Sequence, residues 1–130
     1  MGARVLVVDD QRENLDLMTY LLQAFGHETF SAADGEEGVA AAAQVRPDVV
    51  VMDLQMPKMD GFEAAAVLKA DPELRAIPLV AVTAYAMVGD REKVMAAGFD
   101  GYITKPIEPE TFVRDVEAHL APAPGARNLA

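Results

Sequence analysis

The run from Val49 to Met52 constrains the fold most, because all of its residues are apolar and leave a strand no polar face. A strand of this kind must be covered on both sides, which is typical of the interior of a parallel sheet. Asp53 follows the run directly. Its carboxylate would stand at the carboxyl end of a strand, where open α/β sheets bind their ligands. A lone aspartate in this place also commonly caps a loop, so a functional interpretation needs support from other residues.

Predicted strands and helices alternate along the chain. Strands are predicted at residues 5–8, 28–33, 49–52, 79–82 and 101–104, and the second of them is polar enough to lie near a sheet edge. Helices are predicted to begin near residues 12, 34, 60, 85 and 109 and to end near residues 25, 46, 70, 97 and 120. Because right-handed crossovers pack each helix back onto the sheet, this alternation predicts an α/β fold, a doubly wound five-stranded parallel sheet with five helices on its two faces.

Local signals support these helix boundaries. The first helix is expected to bury a stripe of apolar residues at helical spacing, Leu15, Met18, Leu22 and Phe25, and to end before Gly26. Asp34 with Glu37 resembles an aspartate version of the capping box, and Asp60 with Glu63 repeats the pattern. The last helix places Phe112, Val116 and Leu120 at helical spacing.

Composition narrows the class of protein. The 130 residues suit one domain, which we predict at residues 1–120, followed by a disordered tail or linker at 121–130 that begins A-P-A-P-G. The net charge of -10 disfavours non-specific binding to nucleic acid. No apolar run approaches the ~20 residues of a membrane span, and no secretory signal is recognisable. The chain has no cysteine, which is compatible with the cytoplasm, where we expect it to be located.

Polar side chains follow four of the predicted strands. Because the carboxyl ends of parallel strands lie along one edge of a sheet, Asp9, Asp10, Asp53, Thr83 and Lys105 are expected to converge. Carboxylates held together repel one another, and an all-oxygen ligand set favours Mg²⁺ over zinc. A lysine and a hydroxyl beside the metal suit a phosphoryl group, with Asp53 as the nucleophile that forms an acyl phosphate. Taken singly, each residue has an ordinary explanation as a helix start, a turn or a surface residue.

Four stretches in this order resemble the receiver domain of response regulators, the CheY-like phosphoacceptor of two-component signalling: V-L-V-V-D-D, V-V-V-M-D-L-Q-M-P-K-M-D-G, V-A-V-T-A and Y-I-T-K-P. The resemblance extends from Arg4 to about Leu120. It implies a flavodoxin-like sheet with strand order 2-1-3-4-5. It also implies that Asp53 accepts phosphate from the phosphohistidine of a sensor histidine kinase or a histidine phosphotransfer protein.

The same resemblance implies roles for the neighbouring residues. Asp10, Asp53 and the backbone carbonyl of Gln55 would bind Mg²⁺, and Asp9 would assist through water in the hydration shell of the ion. Lys105 would contact the phosphoryl oxygens, and the bond to Pro106 that follows it would be cis.

A conformational switch is implied as well. Thr83 would move toward the phosphoryl group, and Tyr102 would turn inward into the space that Thr83 leaves. Tyr102 has an ordinary explanation too, as a half-buried aromatic residue of the sheet. The switch would change binding to a downstream protein, with the fourth helix, fifth strand and fifth helix as the partner surface and the first helix as the docking site of the phosphate donor.

Several residues outside this set are expected to be structural. His27 and His119 lie away from the strand ends, so we expect neither a phosphohistidine nor a metal role for them. Met52, Met56 and Met59 are interpreted as core or loop residues.

Alternative functions remain open at this point. The continuation A-Y-A-M-V-G-D after Thr83 resembles single-domain cell-division regulators of the DivK type and also receivers of hybrid kinases. The two chain ends favour a stand-alone regulator over a receiver excised from a longer protein. A Mg²⁺-dependent phosphatase of the haloacid-dehalogenase type would need a second carboxylate at Gln55, and neither glycine-rich nucleotide-binding motif is present. A scaffold that keeps the fold without the chemistry is a further alternative.

Overall fold

The computed structural model describes residues 2–56, 58–84 and 90–120, which form one parallel sheet with helices on both faces. The strands are β1 (Arg4–Val8), β2 (Glu28–Ala32), β3 (Val49–Asp53), β4 (Leu79–Thr83) and β5 (Gly101–Thr104). The helices in these residues are α1 (Arg12–Ala24), α2 (Gly35–Val45), α3 (Gly61–Ala70), α4 (Asp90–Ala96) and α5 (Pro109–Glu117). The strand order is β2-β1-β3-β4-β5, which confirms the predicted topology and puts the polar β2 at an edge.

The register of the strands aligns their carboxyl ends. Val8 of β1 lies opposite Met52 of β3, so Asp9 and Asp53 follow at the same level of the sheet. Asp53 itself lies opposite Val82 of β4, and Thr83 lies opposite Thr104 of β5. The residues after β1 and those at the ends of β3, β4 and β5 therefore meet along one edge.

Two apolar clusters enclose the sheet, one on each face. Val50 and Met52 face the cluster that contains α2 and α3 residues, whereas Val49 and Val51 face the cluster formed with α1 and α5. This division follows from the alternation of side chains along a strand. All of the apolar residues of β3 are fully buried, as expected for a central parallel strand.

Some predicted boundaries were wrong by a few residues. Helix α1 ends at Ala24, and Phe25, predicted as part of the buried stripe, is 63% exposed. The chain turns at Phe25 and continues through Gly26 with a φ of 88°, so the side chain leaves the helical stripe. Helix α5 ends at Glu117, and Leu120 packs on the core from a turn rather than from the helix. The predicted start of the fourth helix, from Tyr85, lies outside the described residues.

The two predicted capping boxes differ in detail. At α3, the side chain of Asp60 accepts from the N–H of Glu63, and the Glu63 side chain accepts from the N–H of Asp60. At α2, Asp34 accepts from the N–H of Glu37, but the Glu37 carboxylate accepts from the N–H of Ala33 instead. The capping box of α3 is therefore complete. At α2 the returning bond goes to the N–H of Ala33, one residue before the N-cap residue Asp34.

No helix within the described ranges has the length and apolar character needed to cross a membrane. The predicted tail at 121–130 lies outside those ranges, and the domain boundary at residue 120 stays a prediction.

Candidate functional site

Three carboxylates meet at the carboxyl edge of the sheet. Asp9 and Asp10 follow β1, Asp53 is the last residue of β3, and these two strands are neighbours. One oxygen of each side chain lies within 4.8 Å of the others. Asp9 and Asp53 are 1% and 5% exposed, whereas Asp10 is exposed. The site therefore has two buried carboxylates and one that faces solvent.

Local backbone hydrogen bonds orient the two buried carboxylates. Oδ1 of Asp9 accepts from the N–H of Gln11 at 2.8 Å, and Oδ1 of Asp53 accepts from the N–H of Gln55 at 3.2 Å. Each aspartate thus bonds to the backbone two residues ahead, as aspartates do in turns. The Oδ2 atom of each side chain remains for contacts with other parts of the chain.

Lys105 occupies the space beside both Oδ2 atoms. Its ammonium nitrogen is 3.2 Å from Oδ2 of Asp53 and 3.4 Å from Oδ2 of Asp9, and its side chain is 16% exposed. The backbone N–H of Lys105 donates to the carbonyl of Thr83 at 2.8 Å, which extends the pairing of β4 and β5 beyond the strands. The peptide bond between Lys105 and Pro106 is cis, the isomer that the resemblance implies.

The buried environment of Asp9 shifts its ionisation. Burial raises the pKa of Asp9, and the negative charge of Asp53 raises it further. The hydrogen bond from Gln11 and the charge of Lys105 act in the opposite direction without cancelling the effect of burial. Among the buried side-chain atoms described, Oδ2 of Asp9 is also without a hydrogen-bond partner. One lysine therefore leaves the pair of buried carboxylates incompletely neutralised.

This donor set fits a hard divalent cation. Every candidate ligand is an oxygen. Oδ2 of Asp9 is a buried acceptor that has the Lys105 ammonium 3.4 Å away but makes no hydrogen bond, and a cation or its water would satisfy it. Oxygen ligands are those that Mg²⁺ prefers in proteins. Within the described ranges, no other group of three or more His, Cys, Asp or Glu side chains has the spacing of a metal site.

Thr83 and Tyr102 lie on the adjacent strands β4 and β5. Thr83 ends β4 and is 1% exposed, and Tyr102 lies opposite Ala81, two residues before Thr83. Ala81 and Tyr102 both pack on the cluster beside α2 and α3, and alternation along β4 puts Thr83 on that same face. The two residues predicted to move together therefore share one face of the sheet.

The two histidines and the methionines at 52, 56 and 59 have structural surroundings. Nδ1 of His27 accepts from the N–H of Ala3 at 3.0 Å, so Nε2 carries the proton and donates to Oε2 of Glu117 at 2.7 Å. The ring of His119 lies against the backbone of Gly101, at the amino end of β5. Met52 is fully buried, and Met56 and Met59 pack against the same apolar cluster.

One part of the site's surroundings was missed in the sequence. The loop between β3 and α3 contacts the start of α2 through Gly35 and Asp34, which the sequence analysis treated only as part of a helix cap. No local pattern indicates this contact, because the partners are distant in the sequence and meet only once the helices pack.

The cluster lies at the point where the strand order reverses. Asp9 and Asp53 stand at the carboxyl ends of β1 and β3, and doubly wound sheets bind ligands in the crevice at this switch point. Fold and site together define a doubly wound α/β protein with an acidic, lysine-bearing ligand site at its topological switch point.

The chain belongs to the family described as the response regulator receiver domain, whose family model matches residues 5–117. It is 40% identical over 123 residues to the polar-differentiation response regulator DivK of Brucella anthropi, a match that covers 95% of this chain and all of that protein. The protein is therefore a receiver domain of two-component signalling, as the resemblance predicted.

Solved structures agree with this assignment. Chemotaxis response regulator CheY4 of Vibrio cholerae is 32% identical with a TM-score of 0.87, over 92% of this chain and 100% of that one. The receiver domain of a sensor histidine kinase from Pseudomonas aeruginosa is 31% identical with a TM-score of 0.83, over 92% of this chain and 98% of that one. The latter structure has a magnesium ion coordinated in its active site cleft.

Proposed function

We propose that this receiver domain accepts a phosphoryl group on Asp53 from a phosphohistidine and transmits its phosphorylation state by a change in protein binding. The donor is a sensor histidine kinase or a histidine phosphotransfer protein, and the readout is a downstream protein target. The observation that carries the proposal is the position of Asp53, a carboxylate at the end of the central strand with the Lys105 ammonium 3.2 Å from one oxygen.

Asp53 is better placed than its two neighbours to act as the nucleophile. The Asp9 side chain is 0% exposed, whereas the Asp53 side chain is 6% exposed and is the more open of the two to a donor. Asp10 is exposed and is not among the ion-pair partners of Lys105 in the described residues. Only Asp53 combines a reachable carboxylate with a cation that can neutralise an incoming phosphoryl group.

The transfer is a displacement at phosphorus. One carboxylate oxygen of Asp53 forms the new O–P bond while the P–N bond of the donor breaks, and the electron pair of that bond leaves with the imidazole. Lys105 exchanges its contact with Oδ2 of Asp53 for the phosphoryl oxygens and stabilises the charge in the transition state. We assign Mg²⁺ to Asp10, Asp53 and the carbonyl of Gln55, with Asp9 assisting; when bound, the ion supplies further positive charge beside the phosphoryl group.

The chemistry serves signalling rather than turnover of an external substrate. The same groups would assist both phosphorylation and later hydrolysis of Asp53. In the switch, Thr83 would donate to the phosphoryl group, and Tyr102 would fill the space on the same face of the sheet. To convert a 1:99 population into 99:1, phosphorylation must favour the active state by about 5.5 kcal/mol.

We further propose that the chain acts as a stand-alone regulator and that residues 1–120 form its receiver unit. The full-length match to DivK supports this reading. Because kinase phosphohistidines are made from cytoplasmic ATP, the proposal also implies a cytoplasmic location.

Intact-protein mass spectrometry after incubation with Mg²⁺ tests the phosphoacceptor assignment. Acetyl phosphate and phosphoramidate serve as small donors, the second because it carries the P–N bond of phosphohistidine. Wild-type protein should gain one phosphoryl group, and Asp53→Asn should gain none. Asp48→Asn is a matched control, because Asp48 precedes the other end of β3 and accepts from the N–H of Arg4 at 2.8 Å.

Borohydride reduction of the product should convert residue 53 alone to homoserine, which peptide mass spectrometry detects. Uptake by Asp53→Asn at wild-type stoichiometry would contradict the site. Absence of uptake by folded wild type from both donors would instead favour the scaffold alternative.

A further inference from the structure

The β3–α3 loop, whose described residues are 54–56 and 58–60, carries Gln55 and is held at both of its ends. At the end near β3, the N–H of Leu54 donates to the carbonyl of Val82 at 3.2 Å. The carbonyl of Leu54 accepts from the N–H of Gly61 at 3.0 Å. These bonds tie the first part of the loop to β4 and to the start of α3.

The other end of the loop is held by α2. The N–H of Gly35, the first residue of α2, donates to the carbonyl of Met59 at 3.1 Å. The ammonium of Lys58 lies 3.6 Å from Oδ2 of Asp34, the residue that caps α2. Asp34 therefore uses Oδ1 for the N–H of Glu37 and Oδ2 for the loop.

Gly35 is required by this contact and not by its own conformation. Its φ lies outside the left-handed region, so alanine would fit the backbone there. A Cβ at this position, however, would overlap the carbonyl oxygen of Met59 and approach the Met59 Cβ to 2.9 Å. A backbone oxygen cannot rotate away as a flexible side chain can, so the loop itself would have to shift.

Lys58 adapts the loop to the same contact. It has a φ of 66°, a left-handed conformation that side chains other than glycine and asparagine seldom adopt. In this conformation its ammonium reaches Asp34, whose side chain is only 10% exposed. Because the Lys58 side chain is 66% exposed, the ion pair is the weaker of the two contacts.

We propose that Asp34, Gly35 and Lys58 are positioning residues of the receiver site, which hold the β3–α3 loop on α2 so that the carbonyl of Gln55 is aligned as a metal ligand. The inference rests on the proposed function, because it concerns the same Mg²⁺ site. It adds the start of α2 to the machinery of the site, although none of the three residues belongs to the acidic cluster. Partners that hold a metal ligand in place commonly affect metal affinity even when they do not touch the ion.

A magnesium titration monitored by amide NMR tests this inference. The amide signals of Gln11 and Gln55 report binding directly, and amide exchange at Gly35 reports the loop contact without the ion. Gly35→Ala should raise the half-saturating Mg²⁺ concentration about tenfold.

Two less disruptive variants test the ion pair between Asp34 and Lys58 separately from the backbone contact of Gly35. Asp34→Asn keeps the cap on α2 and removes the charge that Lys58 meets. Lys58→Gly keeps the left-handed conformation and removes the ammonium. Each should raise the half-saturating concentration by less than Gly35→Ala and should speed exchange of the Gly35 amide.

Gly101→Ala is the matched control, because its added methyl meets the His119 ring at the opposite end of the sheet. It should leave Mg²⁺ binding unchanged. If Gly35→Ala does not fold, Asp34→Asn and Lys58→Gly decide the matter. If every folded variant at Asp34, Gly35 and Lys58 binds Mg²⁺ with wild-type affinity, whether or not its thermal stability is lower, the positioning role is overturned. Wild-type protein that neither binds Mg²⁺ nor takes up phosphate would instead refute the proposed function.

Discussion

The ammonium of Lys105 donates a hydrogen bond of 3.2 Å to Oδ2 of Asp53, across 52 positions of the sequence. This bond joins the ends of β3 and β5, which are separated in the sheet by β4. The same ammonium lies 3.4 Å from Oδ2 of Asp9. Lys105 is therefore the cation that the buried carboxylates share, and it stands where a phosphoryl group on Asp53 would need positive charge.

Replacement of Lys105 by methionine should slow phosphorylation without weakening metal binding. The loss of one charged group that stabilises a transition state typically costs about a hundredfold in rate. Mg²⁺ affinity should be retained or raised, because the variant site is more negative. Quenched time courses followed by mass spectrometry measure the phosphorylation rate, and a Mg²⁺ titration measures the affinity for the ion. Lys69→Met, which removes a cation near Asp100, is the control, and a lower Mg²⁺ affinity in Lys105→Met would contradict this division of roles.

Stability without divalent cations should depend on pH through Asp9. Its folded-state pKa is raised above 3.8, so between pH 3.8 and the folded-state pKa the folded protein keeps a proton that the unfolded chain loses. The group therefore favours the folded state at acid pH, and this contribution is lost as the pH rises through the folded-state pKa. Asp9→Asn should stabilise the protein relative to wild type at pH 7 and lose that advantage below about pH 4.

Urea unfolding in EDTA at several pH values measures this difference. Mg²⁺ should reduce the stability difference between Asp9→Asn and wild type at pH 7, because the ion stabilises the wild-type carboxylates. A ligand present at 100 times its Kd adds about 2.7 kcal/mol to the free energy of unfolding. If the difference in stability between Asp9→Asn and wild type does not vary with pH, it does not come from titration of Asp9.

The capping box of α3 should contribute measurably to stability. Asp60→Ala removes the acceptor for the N–H of Glu63 and should lower the free energy of unfolding by about 1 kcal/mol. Asp60→Asn keeps an acceptor and should cost only part of that. Urea denaturation of both variants gives the comparison, and equal losses would show that the charge, not the cap bond, matters.

His27 should be structural and independent of phosphorylation. Because the His27 ring bonds both the N–H of Ala3 and the carboxylate of Glu117, His27→Ala leaves these groups without partners and should cost about 1–3 kcal/mol. Phosphate uptake by the folded variant should equal that of wild type. A loss of uptake at a temperature where circular dichroism shows the native fold would refute this separation.

Much of the fold could be predicted because its signals are local. The apolar run of β3 predicts a buried strand, and the pattern of Asp60 and Glu63 predicts the start of α3, since both depend on residues close in the chain. The convergence of Asp9, Asp53 and Lys105 was also predictable, because parallel strands present all their carboxyl ends at one edge. The resemblance then supplied the strand order, which periodicity alone does not determine.

Other features required the packed structure. Phe25 continues a helical stripe in sequence, but the turn before Gly26 carries its side chain into solvent. His27 shows no sequence signal for its bonds to Ala3 and Glu117. Gly35 likewise shows no sequence signal for its contact with Met59, because that contact depends on the approach of α2 to a distant loop.

The sequence by itself therefore determined the elements, their alternation and the edge at which the charged residues gather, because these follow from local periodicity and from the direction of parallel strands. Only the tertiary structure decided which oxygen of Asp53 meets Lys105, that Oδ2 of Asp9 is left without a hydrogen bond, and that α2 holds the β3–α3 loop. Those relationships depend on strand register and helix packing between residues far apart in the chain, which local sequence patterns do not determine.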